Sequence, residues 1–101
     1  MKFKVELAPD LVREILQRWP REDVDAFYLR LHSVREDPIG ESEPIREPRL
    51  SRYMLRRFHF AGRAEKIAIF ELNLARKRIR VLKCRSLRRQ EGAIVEGSKK
   101  K

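Results

Sequence analysis

From Arg52 to Cys84 the chain keeps a two-residue period through three consecutive segments, and that run constrains the fold more than anything else in it. In "RRFHF", Phe58 and Phe60 alternate with Arg57 and His59. The next segment, Lys66 to Leu74, opens with "KIAIF", apolar on both faces as a central strand is. "RIRVLKC" (Arg78 to Cys84) alternates again. A turn around Gly62 joins the first pair and the short basic turn "ARKR" joins the second. Three strands this closely spaced predict an antiparallel meander, its first strand running from about Arg52 to Ala61.

The N-terminal half has a different rhythm. "KFKVEL" sets Phe3, Val5 and Leu7 against Lys2, Lys4 and Glu6, the pattern of a half-buried strand. Pro9 and Asp10 then suit a helix start, since proline is tolerated at the first helical position and an acid there complements the helix dipole. Leu11, Val12, Ile15, Leu16 and Trp19 form one stripe at helical spacing, and Pro20 ends it. Glu22 and Asp23 open a second helix with a stripe of Val24, Phe27, Tyr28, Leu31 and Val34, ended by Pro38 and Gly40. The short connection predicts an antiparallel helical hairpin. Residues 37–50, "DPIGESEPIREPRL", hold three prolines and no sustained period. They read as a long loop that covers an edge, carries function or is a disordered connector.

The expected fold is therefore α+β: an N-terminal strand, a helical hairpin and a three-stranded meander, with one sheet face against the helices and the other open. Arg57 and His59 are expected on the open face. At 101 residues there is room for one modest core, so a single domain is expected over residues 1–90, followed by a basic, mobile tail at 91–101.

Charge divides the chain. Residues 1–50 carry 9 Lys and Arg against 11 Asp and Glu, a net of −2, whereas residues 51–101 carry 16 against 4, a net of +12. Such polarity suits a polyanionic partner, most often nucleic acid, for the second half. Cys84 is the one cysteine, so no internal disulfide forms and a reducing compartment is expected. No apolar run approaches a membrane span, no membrane partner is expected, and the chain reads as cytoplasmic. Cys84, His32 and His59 lack metal-ligand spacing, and no glycine-rich phosphate loop or serine-nucleophile motif is present, so no metal or cofactor is expected.

"RRFHF", "IAIFELN" and "KRIRVLKCRSLRR", in this element order, resemble the RelE/ParE superfamily of bacterial and archaeal toxins over residues 1 to about 90, with the last strand and its basic exit closest to archaeal RelE-like members. The resemblance implies the toxin of a toxin–antitoxin pair, held inactive by a RelB-like antitoxin with an acidic helical segment. RelE-like members are metal-independent, ribosome-dependent endoribonucleases that cut mRNA. ParE-like members instead inhibit DNA gyrase, and a catalytically inert binder of nucleic acid or antitoxin is a third reading. On the nuclease reading, the resemblance assigns Arg57, His59 and Arg88 to catalysis and Arg85, Arg89, Lys66 and Arg56 to RNA binding. Arg57 would clamp phosphate, and His59 is the side chain able to exchange a proton near neutral pH. Two positions depart from the nuclease pattern. Ile67 stands where an arginine is usual in the central strand, and Ile94 falls near the place of a C-terminal Tyr or His. Lys66, beside Ile67, faces the opposite way on a regular strand, and only a bulge would bring it round.

Overall fold

A computed structural model describes residues 2–45 and 54–87. The elements run β1 (Lys4–Leu7), α1 (Pro9–Arg18), α2 (Arg21–Glu36), β2 (Glu43–Pro44), β3 (Met54–Ala61), β4 (Glu65–Asn73) and β5 (Arg78–Ser86). They form a five-stranded mixed sheet in the order β1-β5-β4-β3-β2. The α+β class and the antiparallel meander β3–β4–β5 are as expected, and β1 adds to β5 in parallel. The sequence offers no period for β2, whose two residues pair with β3 inside the expected loop. The expected tail at 91–101 lies outside the described residues.

Both helices cover one sheet face, α1 against β5 and α2 against β3. Phe58 and Phe60 of β3, Ala68, Phe70 and Leu72 of β4, and Ile79 and Val81 of β5 point towards them and are buried. α1 contributes Leu11 and Ile15, and α2 contributes Phe27, Leu31 and Val34. Phe27 lies in the middle, its ring centroid 5.3 Å from Phe60, 5.5 Å from Trp19 and 6.1 Å from Phe58. The inner stripes are narrower than the sequence suggests. Leu16 is 80% exposed, and Val12 and Tyr28 are exposed too, because a helix lying on a flat sheet buries only the residues directly beneath its axis.

Between the helices, Trp19 adopts the extended conformation that a following proline demands, with φ −87° and ψ 136°. α2 then starts at Arg21, and its third residue, Asp23, is 2% exposed. The Asp23 carboxylate does not bond within its own helix. Its Oδ1 accepts from the backbone N–H groups of Arg63, at 2.6 Å, and Ala64, at 3.3 Å, in the turn between β3 and β4. Gly62 permits the approach, since a Cβ there would lie 2.5 Å from Asp23 Oδ1 and 2.5 Å from the Glu22 carbonyl oxygen. Helix start and hairpin tip are thereby clasped.

The hairpin β4–β5 contains a bulge. Ile69 pairs with Lys83 but Phe70 pairs with Val81, which leaves Leu82 without a partner. Before it, Ile79 and Val81 face the helices and Arg78 and Arg80 face away. After it the parity is inverted, so Cys84 faces the core while Lys83 and Arg85 face away.

Gly62→Ala should therefore destabilise the fold by about 1–3 kcal/mol through overpacking against helix backbone. Asp23→Ala should lose a similar amount by stripping two N–H groups of their acceptor. Urea denaturation of both variants checks this, and unchanged midpoints would show the clasp to be dispensable.

Candidate nucleic-acid interface

The face of the sheet away from the helices carries the charge. Paired residues on neighbouring strands point to the same side, and two rows on this face are built around the central strand. Arg57, Ile69 and Lys83 make one row, continued by Glu43 of β2 beyond Arg57. His59, Ile67 and Arg85 make the next. Strands lie about 4.8 Å apart, so the cations stand on both sides of a half-buried apolar strip, Ile67 and Ile69.

Arg57 and His59 thus occupy the open face, as their alternation requires. Glu43, which the sequence did not single out, joins them. Its Oε1 lies 3.2 Å from Arg57 Nε and 4.0 Å from His59 Nε2. All three side chains are about half exposed, at 60% for Glu43, 44% for Arg57 and 52% for His59. A recess of about 380 Å³ opens there, with Gly40, Ser42 and Glu43 on one wall and Arg57 and His59 on the other. Glu43 was missed because it lies in a segment with no period, and only the pairing of β2 with β3 brings it to the cluster. Lys83 was missed because counting by twos from Val81 places it in the core.

Two expected RNA contacts are corrected. Arg56 shares the parity of Phe58 and Phe60, so it points to the helix side and is buried. Its guanidinium donates to Ser42 Oγ at 2.6 Å, the Ser42 carbonyl at 3.0 Å and the Ile39 carbonyl at 3.2 Å, and Ser42 Oγ in turn bonds the Pro38 carbonyl. Arg56 therefore fixes the loop before β2. Arg30 does the same from α2, donating to Glu41 Oε1 at 2.8 Å and to the Glu41 and His59 carbonyls. Of the three readings of residues 37–50, the part that is described covers an edge. Lys66 also lies on the helix side, its Nζ 5.0 Å from the Trp19 ring centroid and 3.1 Å from Ser86 Oγ. The bulge in this sheet falls at Leu82, not at Lys66, so Lys66 keeps the parity of a regular strand. Arg85 is exposed on the open face beside Ile67. Arg88, Arg89 and Ile94 lie outside the described residues.

Among the described residues, no group of three or more His, Cys, Asp or Glu side chains is placed to hold a metal ion, and no helix is long and apolar enough to cross a membrane. Cys84 packs against the core, and burial pushes its thiol up from 9.0 to about 12, with Glu14 adding to the shift and Lys66 opposing it. Because the folded thiol holds its proton more tightly than the unfolded one, its contribution to stability is complete below pH 9 and is lost as pH rises towards 12.

The stability difference between the parent chain and Cys84→Ser should accordingly shrink above pH 9, measured by thermal melts from pH 7 to 11; a constant difference would mean that the thiol titrates normally. Arg56→Ala should cost about 1–3 kcal/mol by orphaning buried acceptors, whereas Arg57→Ala, which removes an exposed ion pair, should cost about 0–1 kcal/mol. Chemical denaturation of the two variants side by side distinguishes a structural arginine from a free one.

No protein-family model matches the chain, and no curated protein matches its sequence. Among solved structures it is similar to a chain of the archaeal RelE–RelB complex from Pyrococcus horikoshii OT3, with a TM-score of 0.65 and 20% sequence identity, covering 85% of this chain and 96% of that one. That likeness extends over most of the molecule, and the chain has a RelE-like fold.

Proposed function

We propose that the chain is the toxin of a toxin–antitoxin pair and cleaves mRNA on the ribosome, using the open face of its sheet. The observation that carries this reading is the pair of rows across the face, with Glu43, Arg57 and His59 on one side of the Ile67/Ile69 strip and Lys83 and Arg85 on the other. Cleavage by this route needs the ribose 2′-hydroxyl to attack the adjacent phosphorus while the P–O5′ bond breaks in line, giving a 2′,3′-cyclic phosphate and a 5′-hydroxyl. A phosphate seated over the apolar strip has a proton acceptor on one side, the Glu43–His59 pair, and cations on both sides for the charge that builds on its oxygens. Ile67 supplies no charge, but its two cross-strand neighbours, His59 and Arg85, flank it. The charge of the arginine that the resemblance implies at this position thus comes from Arg85, on the adjacent strand. The RelE-like fold and the RelB partner of the similar structure support an antitoxin for this chain as well. Its ordered segment should be acidic where it meets Arg57, Lys83 and Arg85.

The test is to add the purified chain to ribosomes stalled on a defined message and map the new 3′ ends. Ends within the decoding-site codon, absent without ribosomes, are expected. Arg57→Gln and Lys83→Gln should each slow their appearance by about 10²–10³-fold with folding intact. An intact message would overturn the nuclease reading and leave gyrase inhibition or inert binding to be assayed next.

A further inference from the structure

Beyond the two cation rows, the open face changes character. The next row across it is Leu55, Glu71, Arg80 and Glu6, and the one after that is Asn73, Arg78 and Lys4. Glu6, Glu71, Asn73, Arg78 and Arg80 enclose a recess of about 110 Å³. Two arginines and two glutamates make the recess neutral, on a sheet face whose neighbouring rows carry Arg57, Lys83 and Arg85. A phosphate gains nothing from such a site. A neutral group rich in both donors and acceptors does.

The groups are also available. Among the described residues, Glu71 and Arg80 make no ion pair or side-chain hydrogen bond, although Arg80 is flanked in its row by both glutamates. The ion pair between Arg78 Nε and Glu6 Oε2 is long, at 3.9 Å. The recess therefore holds these opposite charges apart, and their hydrogen-bonding capacity faces into it.

We infer that this recess reads a guanine base, an inference that rests on the RNA reading proposed above. Guanine is the base that offers two adjacent donors, N1–H and the N2 amino group, to one carboxylate, together with two adjacent acceptors, O6 and N7, to a guanidinium. Glu71 or Glu6 takes the first role and Arg80 or Arg78 the second. Glu71 is two residues along β4 from Ile69, about 6.7 Å, so the base read here belongs to a nucleotide next to the phosphate held over the apolar strip. The division follows the general pattern in nucleic-acid recognition, where phosphate contacts position the strand and base contacts specify it.

The experiment compares binding of the full chain to three fluorescein-labelled hexaribonucleotides that are uridine throughout except for one central guanosine, adenosine or inosine. Guanosine should bind about 10-fold tighter than adenosine, with inosine, which lacks the N2 amino group, in between. Glu71→Gln and Arg80→Gln should each bring the three affinities together, since either change removes a partner of the base edge. Arg57→Gln should weaken all three alike. Equal affinities in the parent chain would overturn the guanine recess and leave RNA binding standing. A guanosine preference that survives both recess variants would place its source elsewhere and overturn the assignment. Absence of binding to all three would overturn the guanine recess as a site on the free chain, while the ribosome assay above decides the nuclease reading separately.

Discussion

One face of the sheet is sealed beneath two helices, and most of what the molecule can do follows from that asymmetry. A strand sends successive side chains to opposite faces, so once Phe58, Phe60, Phe70 and Leu72 are committed to the core, their neighbours Arg57, His59, Ile69 and Glu71 have nowhere to go but outward. The energy that holds the fold is the burial of apolar surface on the inner face, and the chemistry is carried on the outer one. Charge on the outer face can therefore vary without disturbing the core, provided that each residue keeps its parity.

Parity also divides the arginines of this chain between two occupations. Arg56 and Arg57 are adjacent and chemically identical, yet one is buried and ties down three acceptors in the loop before β2, while the other stands half exposed beside Glu43. Arg30 joins the first group, spanning from α2 to Glu41 and the β3 backbone. With these arginines the protein covers the edge of β3, where a two-residue strand satisfies little of the backbone by itself. A high arginine content in such a chain is only partly a nucleic-acid signature.

The regular parts of this architecture were legible in the sequence. The period-two run from 54 to 81, the helical stripes and the prolines around them lead to every element but β2 in the right order, and Arg57 and His59 fall on the open face by alternation alone. Where sequence reading fails, it fails mainly on interactions between segments distant in the chain. Glu43 reaches the cluster through pairing with residues fourteen positions away, and nothing local marks it. Asp23 looked like an ordinary acid in a first helical turn, and its buried role depends on a turn forty residues later. Lys83 was hidden by an irregularity, since the register slip at Leu82 cannot be seen in the alternation of a short segment. Lys66 and Arg56, which the resemblance assigns to RNA, both lie on the helix side, as counting by twos from Phe58 and Phe70 requires.

The unpaired Leu82 makes the outer surface sensitive to register as well as to composition. Were the bulge to close with Leu82 paired in a regular ladder, Lys83 and Arg85 would pass under the helices and Cys84 would turn outward, stripping one whole side of the apolar strip of its charge without substituting a single residue. Loss of the Leu82 codon, by contrast, would leave them outward, because Val81, Lys83, Cys84 and Arg85 would then alternate without interruption. Within such a fold, a change of register is an inheritable route from a surface that attracts polyanions to one that does not. Two chains aligned without a gap at this point would be compared face against face from there onward, with like residues in unlike surroundings.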